Sequence, residues 1–460
     1  MNDSLHWMSA TELLRAYRTR RLSPVEATRA MLERIAAIQP RINAFCRMDE
    51  AGALKSARES EARWTKGAPR GLLDGVPVSV KDLVWMKGLP TLSGSRTVNP
   101  DQPWDEDGPA VARLREHGAV LLGKTTTPEF GHRFTTDSPL TGITRNPWNL
   151  ERSPGGSSGG AGAALAAGLA PLALGSDGGG SIRIPSAWSG VVGLKPTAGR
   201  VPSYPPPSWD TLATTGPMAR SVEDLALMLT VLAEPDPRDW NALAAERRDY
   251  RIGLEAGVRG LKIAYSPNMG IGTVEAAIAE KVKAATGVFS ELGAEVIEVP
   301  PPGIAASPEV HAIMKGVIFA QQLDAMTPEQ REVVDPIFRE MSELGRTVTA
   351  VEYQTALVKR REIGDIMHRF FLNYDLLLVP TMHISPLPVP GHPRAMRPPT
   401  MTCWVNQTQQ PGASVPCGLT PERLPIGLQI VGARLSDALV LRAARAYESA
   451  RGPFPHPAID

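Results

Sequence analysis

The sequence predicts an α/β protein, a sheet with helices on both faces. Three observations carry that expectation. Strand-like and helical stretches alternate along most of the chain; its 460 residues are 42% hydrophobic, ample for a large core; and no convincing linker divides it. The Pro- and Gly-rich stretches Val201–Trp209 and Ile384–Pro399 are short and flanked by patterned sequence, so they read as surface loops. One domain over 1–460 is expected: a helical segment over about 1–70, a core over about 71–235, and a remainder with a helical insertion over about 236–460.

In chain order, helices are predicted at Ser9–Tyr17, at Ser23–Gln39, where Ser23 caps and Pro24 opens the first turn, and at Ala51–Thr65. Period-two alternation makes Val76–Val80 a strand. A helix at Asp107–His117 and a buried strand at Ala119–Leu122 follow, then helices at Val222–Ala233 and Val274–Leu292 around a strand at Lys262–Tyr265. Pro308–Asn373 reads mostly helical, and Asp375–Val379 and Ile426–Val431 return as strands.

Composition excludes several classes of function. Lys plus Arg number 49 against 48 Asp plus Glu, and a net charge of +1 leaves no broad basic surface for a phosphate backbone, so no nucleic acid partner is expected. Cys46, Cys403 and Cys417 are odd in number, far apart and without CxxC spacing. That argues against a disulfide framework and against structural zinc, and fits a reducing cytoplasm; neither metal nor cofactor is expected. The N-terminus has Asp3 and no uninterrupted apolar stretch, so it does not read as a secretory signal. The longest apolar run, Ala161–Leu174, is broken by Gly162, Gly168 and Pro171 and falls short of the roughly 18 residues a membrane-spanning helix needs, so no membrane is expected. A homodimer stays open.

The strongest anomaly is glycine. Between Gly155 and Ser181 there are 10 in 27 residues, against 42 in the whole chain, in two serine-bearing clusters, Gly155–Gly160 and Gly178–Gly180. A helix over about Ser158–Gly168 runs about 16 Å and a strand of about five residues returns about 17 Å, so both serine loops come back to one end of the sheet. Serine is a poor nucleophile until a base takes its proton and donors wait for the oxyanion. Gly178, Gly179 and Gly180 offer backbone donors directly before Ser181, with Asp177 and Arg183 placed to pair across the turn.

For a base there are eight histidines, none with a carboxylate at telling spacing, and Lys81. Alternation in VPVSVKDLV puts Ser79 and Lys81 on one face of a strand; the lysine either exits to solvent or points into the protein. To act as a base near pH 7 it must lose about 3.4 pKa units, roughly 4.6 kcal/mol, and desolvation is the plausible source. Three decoys fail. GAVLLGKT (Gly118–Thr125) fits a phosphate-loop pattern, but its middle is a buried strand. GGSSG fits a nucleophile elbow at Ser157 and at Ser158, but ERSP stands where that elbow needs a strand. Gly160 and Gly162 begin a dinucleotide fingerprint that Leu165 breaks.

These residues resemble the amidase signature hydrolases. The likeness runs from LDGVPVSVKD (Leu73–Asp82) through GAVLLGKTTTPEFG, TRNPWN, SPGGSSGGAGAALAAG, LGSDGGGSIRIPSAWSGVVGLKPTAGRVP and GPMARSVEDLA to PGASVPCG and LPIGLQIVG, long and in order. It implies the amidase-signature fold, a large central mixed sheet covered by helices on both faces, with about 71–235 as the catalytic core. It implies a triad of Ser181 as nucleophile, Ser157, preceded by a cis peptide bond, as bridging serine, and Lys81 as base. Gly178, Gly179 and Gly180 would line the oxyanion hole, with Asp177 and Arg183 as a supporting ion pair and Ser158 as a supporting serine. The reaction implied is hydrolysis of an amide C–N bond through an acyl-enzyme.

Family members act on aliphatic, aromatic and peptide amides, carbamates and ureas. One branch is the A subunit of the glutamine-dependent tRNA amidotransferase, which uses an acidic side chain shortly upstream of a motif like VNQTQQPG. Here no Asp or Glu occurs between Asp375 and Glu422. The expectation is therefore an amidase working alone on a small-molecule amide with a neutral or aromatic acyl group; the alternative is the A subunit of a glutamine-dependent tRNA amidotransferase or another partner-dependent amidase subunit, and after it an esterase or a carbamate- or urea-type hydrolase on the same triad. Tyr204, Trp209, His311 and Trp404 are the candidate pocket walls, while Met314 and Phe319 read rather as core.

Overall fold

The computed structural model describes residues 5–390 and 401–459. Among them, eleven strands form one mixed sheet: β1 (Phe45–Met48), β2 (Pro77–Lys81), β3 (Val120–Thr125), β4 (Leu172–Asp177), β5 (Val192–Lys195), β6 (Thr214–Ala219), β7 (Lys262–Tyr265), β8 (Glu295–Glu298), β9 (Leu376–Pro380), β10 (Gly412–Leu419) and β11 (Pro425–Gly432). Their spatial order is β1-β3-β2-β4-β6-β5-β10-β11-β9-β7-β8. β2 runs parallel to both its neighbours, β3 and β4, and β7 lies parallel between β8 and β9, while the centre of the sheet is antiparallel.

Both faces are covered, as alternation within single strands shows. Leu376 and Leu378 of β9 enter an apolar cluster with helices Val222–Leu232, Ala276–Glu291 and Asp437–Arg451. Leu377 and Val379 enter another with helices Ser307–Asp324 and Ala350–Phe370. A strand buried on both sides reads as a continuous apolar run, and LLLV does. The predicted helices form with ends shifted by a few residues; Ser9 and Ser23 cap Ala10–Arg18 and Pro24–Ile42 in reciprocal capping boxes with Glu12 and Glu26. Pro308–Asn373 resolves into four helices, Ser307–Asp324, Pro328–Val333, Pro336–Arg346 and Ala350–Phe370. Of the stretch Ile384–Pro399, the part from 391 on lies outside the described residues. No described helix is long and apolar enough to cross a membrane.

Candidate active site

β2 ends on Lys81, and the site is built around that end. All five β2 residues are buried, and Lys81 is 0% exposed, so the side chain points into the protein rather than to solvent. Its Nζ donates to Ser157 Oγ at 2.7 Å and to the Ser176 carbonyl at 3.2 Å. Burial lowers its pKa to about 7, against the opposing pull of Asp177. The decoy Lys124 is also buried, in β3, donating to Val84 O at 2.5 Å and Thr91 Oγ1 at 2.8 Å.

Ser157 precedes the buried helix Gly159–Ala166, and the Gly156–Ser157 peptide is cis. Apart from Leu165 the helix is glycine and alanine, and other backbone crosses it closely: a Cβ on Gly160 would lie 2.5 Å from the Ala44 carbonyl. After it, β4 returns to the turn Gly178–Ser181. The two serine loops meet there as the length arithmetic requires: Ser158 N–H donates to the Ser181 carbonyl at 3.1 Å, and Ser158 Oγ donates to the Ser176 carbonyl at 3.1 Å. Ser157 and Ser181 line one cavity, with no hydrogen bond between their hydroxyls. Such bonds are often long before substrate binds.

Asp177 and Arg183 form a fully buried bidentate pair, Nε to Oδ2 at 2.9 Å and Nη2 to Oδ1 at 2.8 Å. The guanidinium also reaches Asn406 Oδ1, Gln429 Oε1 and the Thr402 carbonyl, so its donors are fully engaged. Burial alone would raise the Asp177 carboxyl; Arg183, with Asn406 and Lys195, outweighs it and holds the group well below the usual carboxylate range. Arg183→Met leaves that carboxylate buried and unpaired, and is expected to destabilise the fold by about 3–5 kcal/mol, read as a fall in the urea midpoint at constant m-value.

The same carboxylate corrects one expectation. Gly180 N–H donates to Asp177 Oδ1 at 2.7 Å, so it is engaged inside the protein rather than waiting for an oxyanion. Gly180 serves the turn itself, at φ 132°, where a side chain would collide with Thr402. The N–H groups of Gly178, Gly179 and Ser181 have no acceptor among the described residues.

The cavity over these groups has a volume of about 320 Å³. Trp85, Phe130, Tyr204 and Trp209 supply aromatic wall, with Leu83 and the prolines of the Val201–Trp209 loop, and among the described residues Asp177 is the one charged group lining it. Tyr204 and Trp209 thus lie where expected, and that loop is cavity wall as well as surface. Trp404 does not. It is 0% exposed in the same apolar cluster as Leu377 and Val379, its Nε1–H donating to the Met401 carbonyl, because the short helix Cys403–Gln407 turns its indole inward. His311 is absent from the cavity wall and sits behind the glycine turn, where a Cβ on Gly179 would lie 2.6 Å from its Nε2. Burial, helped by Lys315, lowers its pKa to about 3 and keeps it neutral. Met314 and Phe319 are core. Thr402, Asn406 and Gln429 escape sequence reasoning, since each lies more than 200 positions from the residue it holds; the faint signal is polar residues at positions that pattern as buried.

The fold and the site define one class, the amidases, enzymes that act on amide C–N bonds. The amidase family model matches residues 26–441, and the chain belongs to the amidase family. It is 38% identical to an acylamidase of Rhodococcus erythropolis, over 98% of this chain and 96% of that one. It is 37% identical to the A subunit of a glutamyl-tRNA(Gln) amidotransferase of Myxococcus xanthus, over 93% of each. Among solved structures, a bacterial aryl acylamidase of the amidase signature family superposes with a TM-score of 0.90 at 32% identity, covering 97% of this chain and 96% of that one.

Proposed function

We propose that the protein is an amidase that works alone, hydrolysing a neutral, aryl-bearing small-molecule amide through an acyl-enzyme on Ser181, in the cytoplasm. The observation that carries this reading is a buried lysine, its pKa lowered to about 7 by burial, hydrogen-bonded at 2.7 Å to a serine that shares its cavity with a second serine in a glycine turn. Ser181 Oγ attacks the amide carbonyl; its proton passes through Ser157 to Lys81 and returns by the same route to the leaving amine. Gly178, Gly179 and Ser181 N–H receive the oxyanion. Water then repeats the sequence on the acyl-enzyme and releases the acid.

The aromatic wall, whose one charge among the described residues is tied to Arg183, favours an aryl group over the charged ends of glutamine. The likeness to an acylamidase and an aryl acylamidase points the same way. The cytoplasmic assignment rests on the three cysteines, Cys46, Cys403 and Cys417, which are odd in number, far apart and without CxxC spacing.

The test is purified protein against anilides, primary amides, esters and glutamine, with intact mass and peptide mapping after a fluorophosphonate probe. Amine release from anilides with one adduct on Ser181 is expected. No turnover and no adduct would overturn the reading and favour a partner-dependent subunit; glutamine as the sole substrate would favour the amidotransferase branch.

A further inference from the structure

The glycine turn raises a physical problem. Three consecutive glycines, 178–180, have no Cβ to restrict them, yet an oxyanion hole works only if its donors are already aimed. One peptide unit in the turn is held along both edges. Its N–H, from Gly180, donates to Asp177 Oδ1 at 2.7 Å, and its carbonyl, from Gly179, accepts from Thr402 Oγ1 at 2.6 Å. With both edges bonded the Gly179–Gly180 peptide cannot rotate without breaking two hydrogen bonds, one buried and one part-buried. That anchors the centre of the turn and narrows the range of the adjoining units that carry the Gly179 and Ser181 N–H groups; the Gly180–Ser181 unit is also held by Ile184 N–H, which donates to the Gly180 carbonyl at 2.7 Å.

Thr402 is suited to that task. It is 0% exposed, and its own carbonyl accepts from Arg183 Nη1 at 2.9 Å, so the guanidinium that pairs with Asp177 also anchors the residue on the other edge of the peptide. Asp177 and Thr402 therefore form two jaws closed by one arginine. Threonine's single hydroxyl proton is directed at the Gly179 carbonyl, and its β-branch limits the rotamers available to it.

We infer that Thr402 is a positioning residue for the oxyanion hole, acting through the Gly179 carbonyl without touching substrate. The inference rests on the reading of Ser181 as nucleophile and of the unengaged turn N–H groups as its oxyanion donors.

Thr402→Val keeps the shape and removes the hydroxyl; Thr402→Ser keeps the hydroxyl. Loss of a direct oxyanion donor lowers kcat by about 10²–10³, so loss of its positioning is expected to lower kcat and kcat/KM by about tenfold or more, with KM within about twofold. The rate of fluorophosphonate labelling at Ser181 should fall in parallel, because the phosphoryl oxygen takes the same donors, while Thr402→Ser stays within about threefold of wild type. A merely structural role would lower the urea midpoint without this split. Thr402→Ala gives a second hydroxyl-free variant should valine not fold. Wild-type kcat and labelling rate in a hydroxyl-free variant would overturn the inference, and so would a serine variant as impaired as valine. A wild type that neither turns over nor labels would instead sink the parent reading, so the two failures are distinguishable.

Discussion

Ser181→Ala is expected to lower kcat on anilides by about 10⁶-fold, the loss seen when a serine nucleophile acting as a unit with its base is removed. The fold should not change. Ser181 is only partly buried, its contact to the Ser157 loop is through its backbone carbonyl, which alanine keeps, and among the described residues no hydrogen bond of its hydroxyl holds the turn. The urea midpoint should therefore stay within about 0.5 kcal/mol of wild type, as for substitutions away from a packed or bonded group. The fluorophosphonate adduct should vanish. Residual turnover above a hundredth of wild type, or an adduct moved to Ser157, would overturn the assignment of the nucleophile.

Lys81→Met is expected to lower kcat/KM by about 10²–10⁴-fold, the usual contribution of a general base. The pH profile separates this from a packing defect. A base role requires the neutral amine, and with the Lys81 pKa lowered to about 7, log(kcat/KM) of the wild type should rise with unit slope below that pH and flatten above it. The variant should lose that rising limb. Stability should move the other way. Lysine in an unfolded chain titrates near 10.4 and Lys81 in the fold near 7, so between those values the unfolded state binds the extra proton. Stability is complete above about 10.4 and is lost as pH falls to about 7, an upper bound of about 4–5 kcal/mol. Lys81→Met should thus raise the urea midpoint at pH 7 while removing activity. Lys195 is likewise lowered to about 7, chiefly by burial, so part of the pH dependence of stability should remain in the variant. An unchanged pH–rate profile with only reduced amplitude would overturn the role of Lys81.

Legibility in the sequence followed physical range. Elements set by local signals, a capping serine with its glutamate or an apolar run such as LLLV, were readable to within a few residues. Strands whose sequence argues against them were not: β6 carries Gly216 and Pro217, β5 carries Gly193, and β10 carries Pro416 and Gly418, and each is a strand because of its neighbours in the sheet. In the site, glycine density and motif order pointed to Lys81, Ser157 and Ser181. The engagement of Gly180 N–H was hidden, because it depends on the Asp177 side chain folding back onto its own turn. Trp404 was misplaced because an aromatic residue's destination depends on the rotation of a short helix. Thr402, Asn406 and Gln429 belong to a network closed only by the tertiary fold.

The strand order also bears on how the protein is made. β10 and β11, encoded late, lie in the interior of the sheet between β5 and β9. A ribosome that has finished β5 must add roughly 220 residues before β10 emerges, about 10–40 s at ~5–20 residues per second. Throughout that interval the growing chain carries an unpaired edge at β5, and later a second at β9, and such edges are templates for pairing with other chains. Gln429, on β11, completes the Arg183 clamp only after both gaps have closed. Yield during expression should accordingly depend on chaperone cover of those edges, and loss of the last two strands would leave two half-sheets in place of a shortened enzyme.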